Sequence, residues 1–213
     1  MPTPPPTTPD QVRPGPARTK ERLVRAALDL FTNLGYHEST TPRIAARAGV
    51  AEGTIYRHFQ SKEQLLNEIF RAGVRLFQRA AGDVGPGKPA GTQLDQLGRA
   101  WCDIAAREPA VARLVFSREL HRYLDAPSRT ALERLDELVV SIIATGKAHG
   151  TVRDGPATTW ALVWIRLVSL AVERIAGGAW RPGDATVDYV LGAAWNAIRF
   201  RAPTEGGQPF GNR

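Results

Sequence analysis

Residues 40–59 read TTPRIAARAGVAEGTIYRHF, and this stretch decides the fold. Thr40 and Thr41 bring hydroxyls that can accept from free backbone N–H groups, and Pro42 has no N–H to leave unsatisfied, so a helix begins here. Ile44, Ala45 and Ala48 fall on one face of that short helix, Gly49 ends it, and Val50 is expected in the core at the turn. A second short helix is predicted over about Glu52 to Phe59. Two short helices joined by a tight glycine turn are what a helix-turn-helix requires. The second must be slim at its N-terminal end to enter a nucleic-acid groove about 12 Å wide. Here that end is Ala51-Glu52-Gly53-Thr54, and Gly53 brings no side chain. Thr54, Tyr56 and His58 carry hydrogen-bond donors for phosphate oxygens, while Phe59 is expected as core.

Upstream, Val24, Ala27, Leu28 and Phe31 recur at helical spacing from Arg18 on, and Gly35 stops that helix. Downstream, Ser61 and Gln64 form a capping box that pins the start of the next helix near Lys62. Lys62 then lies on the first turn, where its charge and the helix dipole both favour a phosphate. This helix is expected to run past Phe70 to about Arg79. Gly82, Gly85, Pro86, Gly87, Pro89 and Gly91 make residues 82–92 a breaker-rich linker and the expected domain boundary. Five further helices are predicted: one through Leu94 and Trp101 to Glu108, then about 109–123, 128–149, 158–176 and 184–201. No strand-period segment of useful length and no repeat is found. The chain therefore reads as all-α, with about nine helices: a Pro-rich tail at 1–17, a three-helix reading domain with its linking helix at 18–82, a helical domain at 83–201, and a flexible tail at 202–213.

The 213 residues carry a formal net charge of +7, which makes a polyanionic partner plausible. Residues 1–82 hold 12 Lys/Arg against 7 Asp/Glu, and residues 83–213 hold 16 against 14, so the excess sits with the motif. The single cysteine, Cys102, rules out a disulfide framework within the chain and fits a reducing, cytoplasmic location. The longest apolar segment, Trp160 to Ile175, is broken by Arg166 and Glu173, so no membrane span is expected. Nucleophile elbows, nucleotide-binding glycine patterns and metal-ligand spacing are absent; neither catalysis, a cofactor nor a metal is expected. A cluster of titratable groups in a pocket would be the sign of an enzyme instead.

Gly35-Tyr36, then Thr40-Thr41-Pro42-Arg43-Ile44-Ala45, Ala48-Gly49-Val50, Gly53-Thr54-Ile55-Tyr56, His58-Phe59 and Ser61-Lys62-Glu63 resemble the signature of the tetracycline-repressor (TetR) family over residues 18–70. The resemblance implies a transcriptional regulator, by family habit a repressor, that binds a palindromic operator in double-stranded DNA. It implies that Thr40 and Thr41 touch the DNA backbone, that Arg43 reads a base because Pro42 cannot, and that Gly53, Thr54, Tyr56, His58 and Lys62 lie at the DNA. Ala51 departs from the serine common in relatives, losing a cap worth about 1 kcal/mol. The resemblance also implies a homodimer through the last two helices and a small-molecule effector in the C-terminal domain. Its pocket is expected among Trp101, Phe116, His121, Trp160 and Trp164. An architectural DNA binder answering to no ligand stays open beside this reading.

Overall fold

The computed structural model describes residues 16–82, 84–85 and 87–200. These fall into two compact units, one ending at Leu65 and the other beginning at Leu66. The tails expected at 1–17 and 202–213 lie outside the described residues except for Pro16 and Ala17, which already belong to the first helix.

In the N-terminal unit, α1 spans Pro16–Asn33 and buries Leu23, Ala26, Ala27 and Phe31. Its inward stripe is thus rotated from the expected one, leaving Val24 and Leu28 half-buried. The helix α2, Thr41–Ala48, buries Ile44, Ala45 and Ala48 and ends at Gly49, whose φ of 64° is the left-handed cap that glycine adopts without strain. Arg22 of α1 donates to the Gly49 carbonyl at 3.0 Å, placing a cation on the negative end of α2. Val50, expected in the core, is only half-buried, and Ile55 and Phe59 fill the turn instead. The segment after the turn, Glu52–Arg57, is a single 3-10 stretch, where an α-helix to Phe59 was expected. Only Ile55 of that stretch is buried, which offers little packing to sustain a regular helix.

Helix α3 covers Lys62–Gly82, so its first turn lies in the N-terminal unit and the remainder in the second. The contacts divide the chain within α3, ahead of the glycine-rich segment where the sequence placed the boundary. At its start the Gln64 N–H donates to Ser61 Oγ (3.1 Å), and the Gln64 side chain accepts from the Gln60 N–H (2.6 Å). The box therefore reaches back to the residue before its serine.

The second unit is a helical bundle: α4 (Ala90–Arg107), α5 (Pro109–Phe116), α6 (Ala126–Ala148), α7 (Ala157–Ala176) and α8 (Ala185–Ile198). Helix α7 is central, packing on α4, α5, α6 and α8. Two sequence expectations are corrected here. Gly91 is not a breaker but sits inside α4, where an added Cβ would lie 2.8 Å from the Trp195 ring of α8. The helix expected over 109–123 stops at Phe116 and resumes as a 3-10 turn, Leu120–Tyr123. The break is stabilised by His121, whose Nε2 bonds the Val115 carbonyl at 2.8 Å and takes the place of a helical N–H. The last helix ends at Ile198, and Arg199 forms an antiparallel bridge with Val152. Around it the Arg153 N–H donates to the Ile198 carbonyl and the Phe200 N–H to the Thr151 carbonyl.

The core of this unit is aromatic. Trp101 stacks edge-on against Phe77 and Trp164, and its indole N–H donates to the Phe77 carbonyl at 3.3 Å. Phe116 completes the cluster at 5.1 Å from Phe77 and 5.6 Å from Trp101, centroid to centroid. Cys102 is buried, and burial pushes its thiol up to about 12, so it is an inert apolar side chain. No helix among the described residues is long and apolar enough to cross a membrane.

Candidate functional site

In the N-terminal unit, the end of α1's loop, the start of α2 and the start of α3 enclose a surface groove of about 370 Å³. Its walls include Thr40, Thr41, Tyr56 and Lys62, four of the residues singled out in the sequence, together with Gln60 and Ser61. Thr40 occupies the N-cap of α2 without making the capping hydrogen bond expected of it, which leaves its hydroxyl to the groove. Thr41 Oγ1 lies 3.2 Å from the Tyr56 hydroxyl, and Tyr56 is 55% exposed. Two hydroxyls from separate elements therefore meet on one open surface.

Lys62 is held in place. Its Nζ donates to the Tyr36 carbonyl at 2.9 Å and sits 4.0 Å from the centroid of the Tyr36 ring. The Tyr36 hydroxyl in turn donates to Glu63 at 2.6 Å. That bond, backbone and Ser61 hydrogen bonds, and the Lys62 charge keep the Glu63 carboxyl below the usual carboxylate range, so it is ionised at neutral pH. Residues 36 and 61–63 thus form one fixed charged corner at the groove. The role of Tyr36 as a clamp was invisible in the sequence, because the contact closes across 26 residues. Its position within the family signature was the only signal.

The other candidates are distributed as follows. Gly53 faces open space, with no protein atom within 4 Å of an added Cβ, so nothing inside this unit demands glycine there. Thr54 and His58 are half-buried beside it. Arg43 is exposed on α2 but folds back, donating to the Glu38 carbonyl at 3.0 Å and reaching the Glu38 carboxylate at 3.4 Å. It is not among the groove's walls.

The second unit holds a cavity of about 460 Å³ between α5, α6 and α7. Trp101, Phe116 and His121 line it. Trp160 and Trp164 do not. Trp164 is packed edge-on against Trp101 in the core, and Trp160 donates its indole N–H to the Asp154 carbonyl beside Gly155. Sequence reading missed the cavity's charged wall: Glu133, Asp136 and Glu137 on α6 and Arg166 on α7. Arg166 had been visible as an interruption of an apolar run, and its place on a cavity wall is the reason such a residue is tolerated there. Asp136 is exposed at its tip, but desolvation against the cavity wall raises its carboxyl above the ordinary value, with Arg166 opposing the rise and Glu133 adding to it. Burial holds the His121 imidazole below its usual value, keeping it neutral. The cavity does gather titratable groups, as an enzyme would. Ser169, its buried hydroxyl, donates to the Ile165 carbonyl at 2.7 Å, and His121 Nε2 bonds the Val115 carbonyl at 2.8 Å.

Residues 23–69 match the family model described as bacterial regulatory proteins, tetR family. The chain is 42% identical over 56 residues to the fatty acid metabolism regulator protein of Bacillus subtilis (strain 168), a match covering 26% of this chain and 29% of that one. It thus spans under a third of the length of the curated relatives it matches first. It is 28% identical over 195 residues to the HTH-type transcriptional repressor KstR2 of Rhodococcus jostii (strain RHA1), covering 88% of this chain and 91% of that protein. In fold it resembles the transcriptional regulator FadR of Bacillus subtilis, solved in complex with stearoyl-CoA, at a TM-score of 0.66 and 22% identity, over 84% of this chain and 98% of that one. The helix-turn-helix on residues 40–59 lies inside the stretch matched by the family model, so residues 23–69 are a module of the kind found in the tetR family of bacterial regulatory proteins, followed by an all-helical second unit.

Proposed function

We propose that this protein is a sequence-specific, DNA-binding transcriptional repressor, released from its operator by a small molecule bound in the second unit. The observation that carries the reading is the convergence of Thr40, Thr41, Tyr56 and Lys62 on one exposed groove beside a side-chain-free Gly53. Hydroxyls and a fixed ammonium are phosphate ligands, and a bare glycine lets backbone approach DNA closely. Phosphate contacts set the register, while Arg43, once it exchanges Glu38 for a guanine edge, supplies base readout.

Dimerisation is part of the proposal. Leu170 on α7 and Tyr189 on α8 are large apolar side chains left exposed, with small Gly192 and Ala193 exposed beside Tyr189; Leu162, also exposed on α7, lines the cavity instead. Such a strip suits a self-complementary two-fold interface between α7–α8 pairs. Release would run through α6 and α3. Leu132, Glu133 and Asp136 of α6 line the cavity, and Gln78 and Arg71 of α3 bond the Ala131 carbonyl and the Asp125 and Ser128 side chains at α6's start. Helix α3 is the element shared by both units, so a ligand that favours one α6 position biases its dimer geometry.

The test is a footprint of the full chain on the DNA flanking its own gene. Protection of a short palindrome at low salt is the expected result. Absence of any protected site under those conditions would overturn the reading.

A further inference from the structure

The ligand-responsive reading leaves open what the cavity accepts, and the chemistry of its wall narrows the choice. The buried part of the wall is apolar and aromatic: Trp101, Phe116, Leu135 and Ala161. Its exposed rim carries Glu133, Asp136 and Glu137 from α6, against a single Arg166 from α7. None of these three carboxylates forms a close ion pair with Arg166 among the described residues. His121, the remaining titratable group on the wall, is neutral and bonded to backbone. The cavity therefore offers a hydrophobic, π-rich interior with a net negative rim. A ligand with phosphate groups would need several Arg or Lys donors to replace its water; the wall itself carries Arg166 alone, with Arg118 acting on His121 from beyond the wall, against three carboxylates. A cation with an apolar body meets complementary groups at both ends: rings below, unpaired carboxylates at the rim.

We infer that the cavity of the second unit binds an amphipathic organic cation, with Asp136 and Glu133 as its charge-recognising residues. This rests on the proposal that the cavity is the effector site, and it departs from the CoA thioester seen in the Bacillus subtilis FadR structure. Arg166 then acts against the ligand charge, limiting affinity and reinforcing selection for cations flanked by bulk on the α7 side.

Tetraphenylphosphonium and tetraphenylborate have the same size and shape and opposite charge, so they isolate the electrostatic part of recognition. Binding of each to the full chain is read from quenching of tryptophan fluorescence, with stearoyl-CoA as a third probe. The cation is expected to bind at least tenfold more tightly than the borate and than stearoyl-CoA. The double variant Glu133→Gln/Asp136→Asn is expected to reduce that preference at least tenfold with an unchanged melting temperature, and Arg166→Gln to increase it. Equal or tighter binding of the borate, tighter binding of stearoyl-CoA, no saturable binding of any probe, or a preference untouched by folded variants would each overturn the inference. A footprint without added ligand, run in parallel, separates the two readings. Intact protection with failed cation binding removes only the ligand class, and lost protection with cation binding intact removes only the DNA reading.

Discussion

Lys62 and Arg43, the two cations proposed to meet DNA, are held in different ways. Lys62 is fixed by the Tyr36 carbonyl and ring, so the phosphate contact proposed for it would cost little side-chain entropy. Arg43 rests on Glu38 and must leave it to touch a base. Lys62→Ala is therefore expected to weaken operator and random DNA alike, with a shallower salt dependence of binding, while Arg43→Ala costs about 1–3 kcal/mol on the operator and relaxes specificity. Competition titrations against both DNAs check this, and equal losses from both variants would contradict the division. His121 gives a pH prediction. Because burial depresses its folded value below the ordinary 6.5, the unfolded chain binds the proton more readily. The stability it protects is thus complete above about 6.5 and is lost as pH falls through the interval down to the folded value. The melting temperature of wild type should drop more steeply on acidification below neutrality than that of His121→Gln. The residues legible from sequence at this scale were those whose roles are local, such as Gly49 and Ser61. Glu38 as the rest for Arg43 was not, since a loop carboxylate near an arginine leaves no periodic trace.

At the scale of elements, the helix order and most boundaries could be read because apolar spacing and breakers agree there. Where reading failed, a tertiary contact had replaced a local signal. Gly91 resembled a breaker but is the space in which the Trp195 ring sits, and no window of nearby residues contains that information. The stop after Phe116 has neither glycine nor proline; it depends on the His121 bond to Val115. The 3-10 form of Glu52–Arg57 likewise reflects scarce packing. Two substitutions test the capping chemistry that was readable. Ser61→Ala removes the acceptor for the Gln64 N–H and should cost about 1 kcal/mol. Gly49→Ala forces a side chain into the left-handed region and towards Arg22, and should cost about 1–2 kcal/mol. Urea unfolding of the full chain, followed by circular dichroism, measures both; a change below about 0.3 kcal/mol at Gly49 would mean the turn relaxes freely.

For the whole molecule, the groove on the first unit and the cavity in the second become a single device only if two copies present their grooves together. One module neutralises few phosphates, and two spaced by a turn of DNA multiply the contacts. Leu170→Glu places a charge on the exposed strip of α7 and is expected to convert a dimer to monomers in sedimentation equilibrium, with operator affinity falling by more than tenfold while the melting of each folded chain is retained. Unchanged mass would move the interface elsewhere. Fold class and the reading module were legible from the sequence because their signals are short-range; the cavity's charged rim was not, since it assembles from residues on two helices whose relative rotation no pattern encodes. The bridge between Val152 and Arg199 adds a mechanical consequence. A load applied at the chain's C-terminal end meets the Phe200–Thr151 hydrogen bond before the Arg153–Ile198 one, and α8 behind them both. Under tension the clasp yields bond by bond, at about 1 kcal/mol each, and leaves the load on α8, which Val187, Leu191, Ala194 and Ile198 anchor in the core.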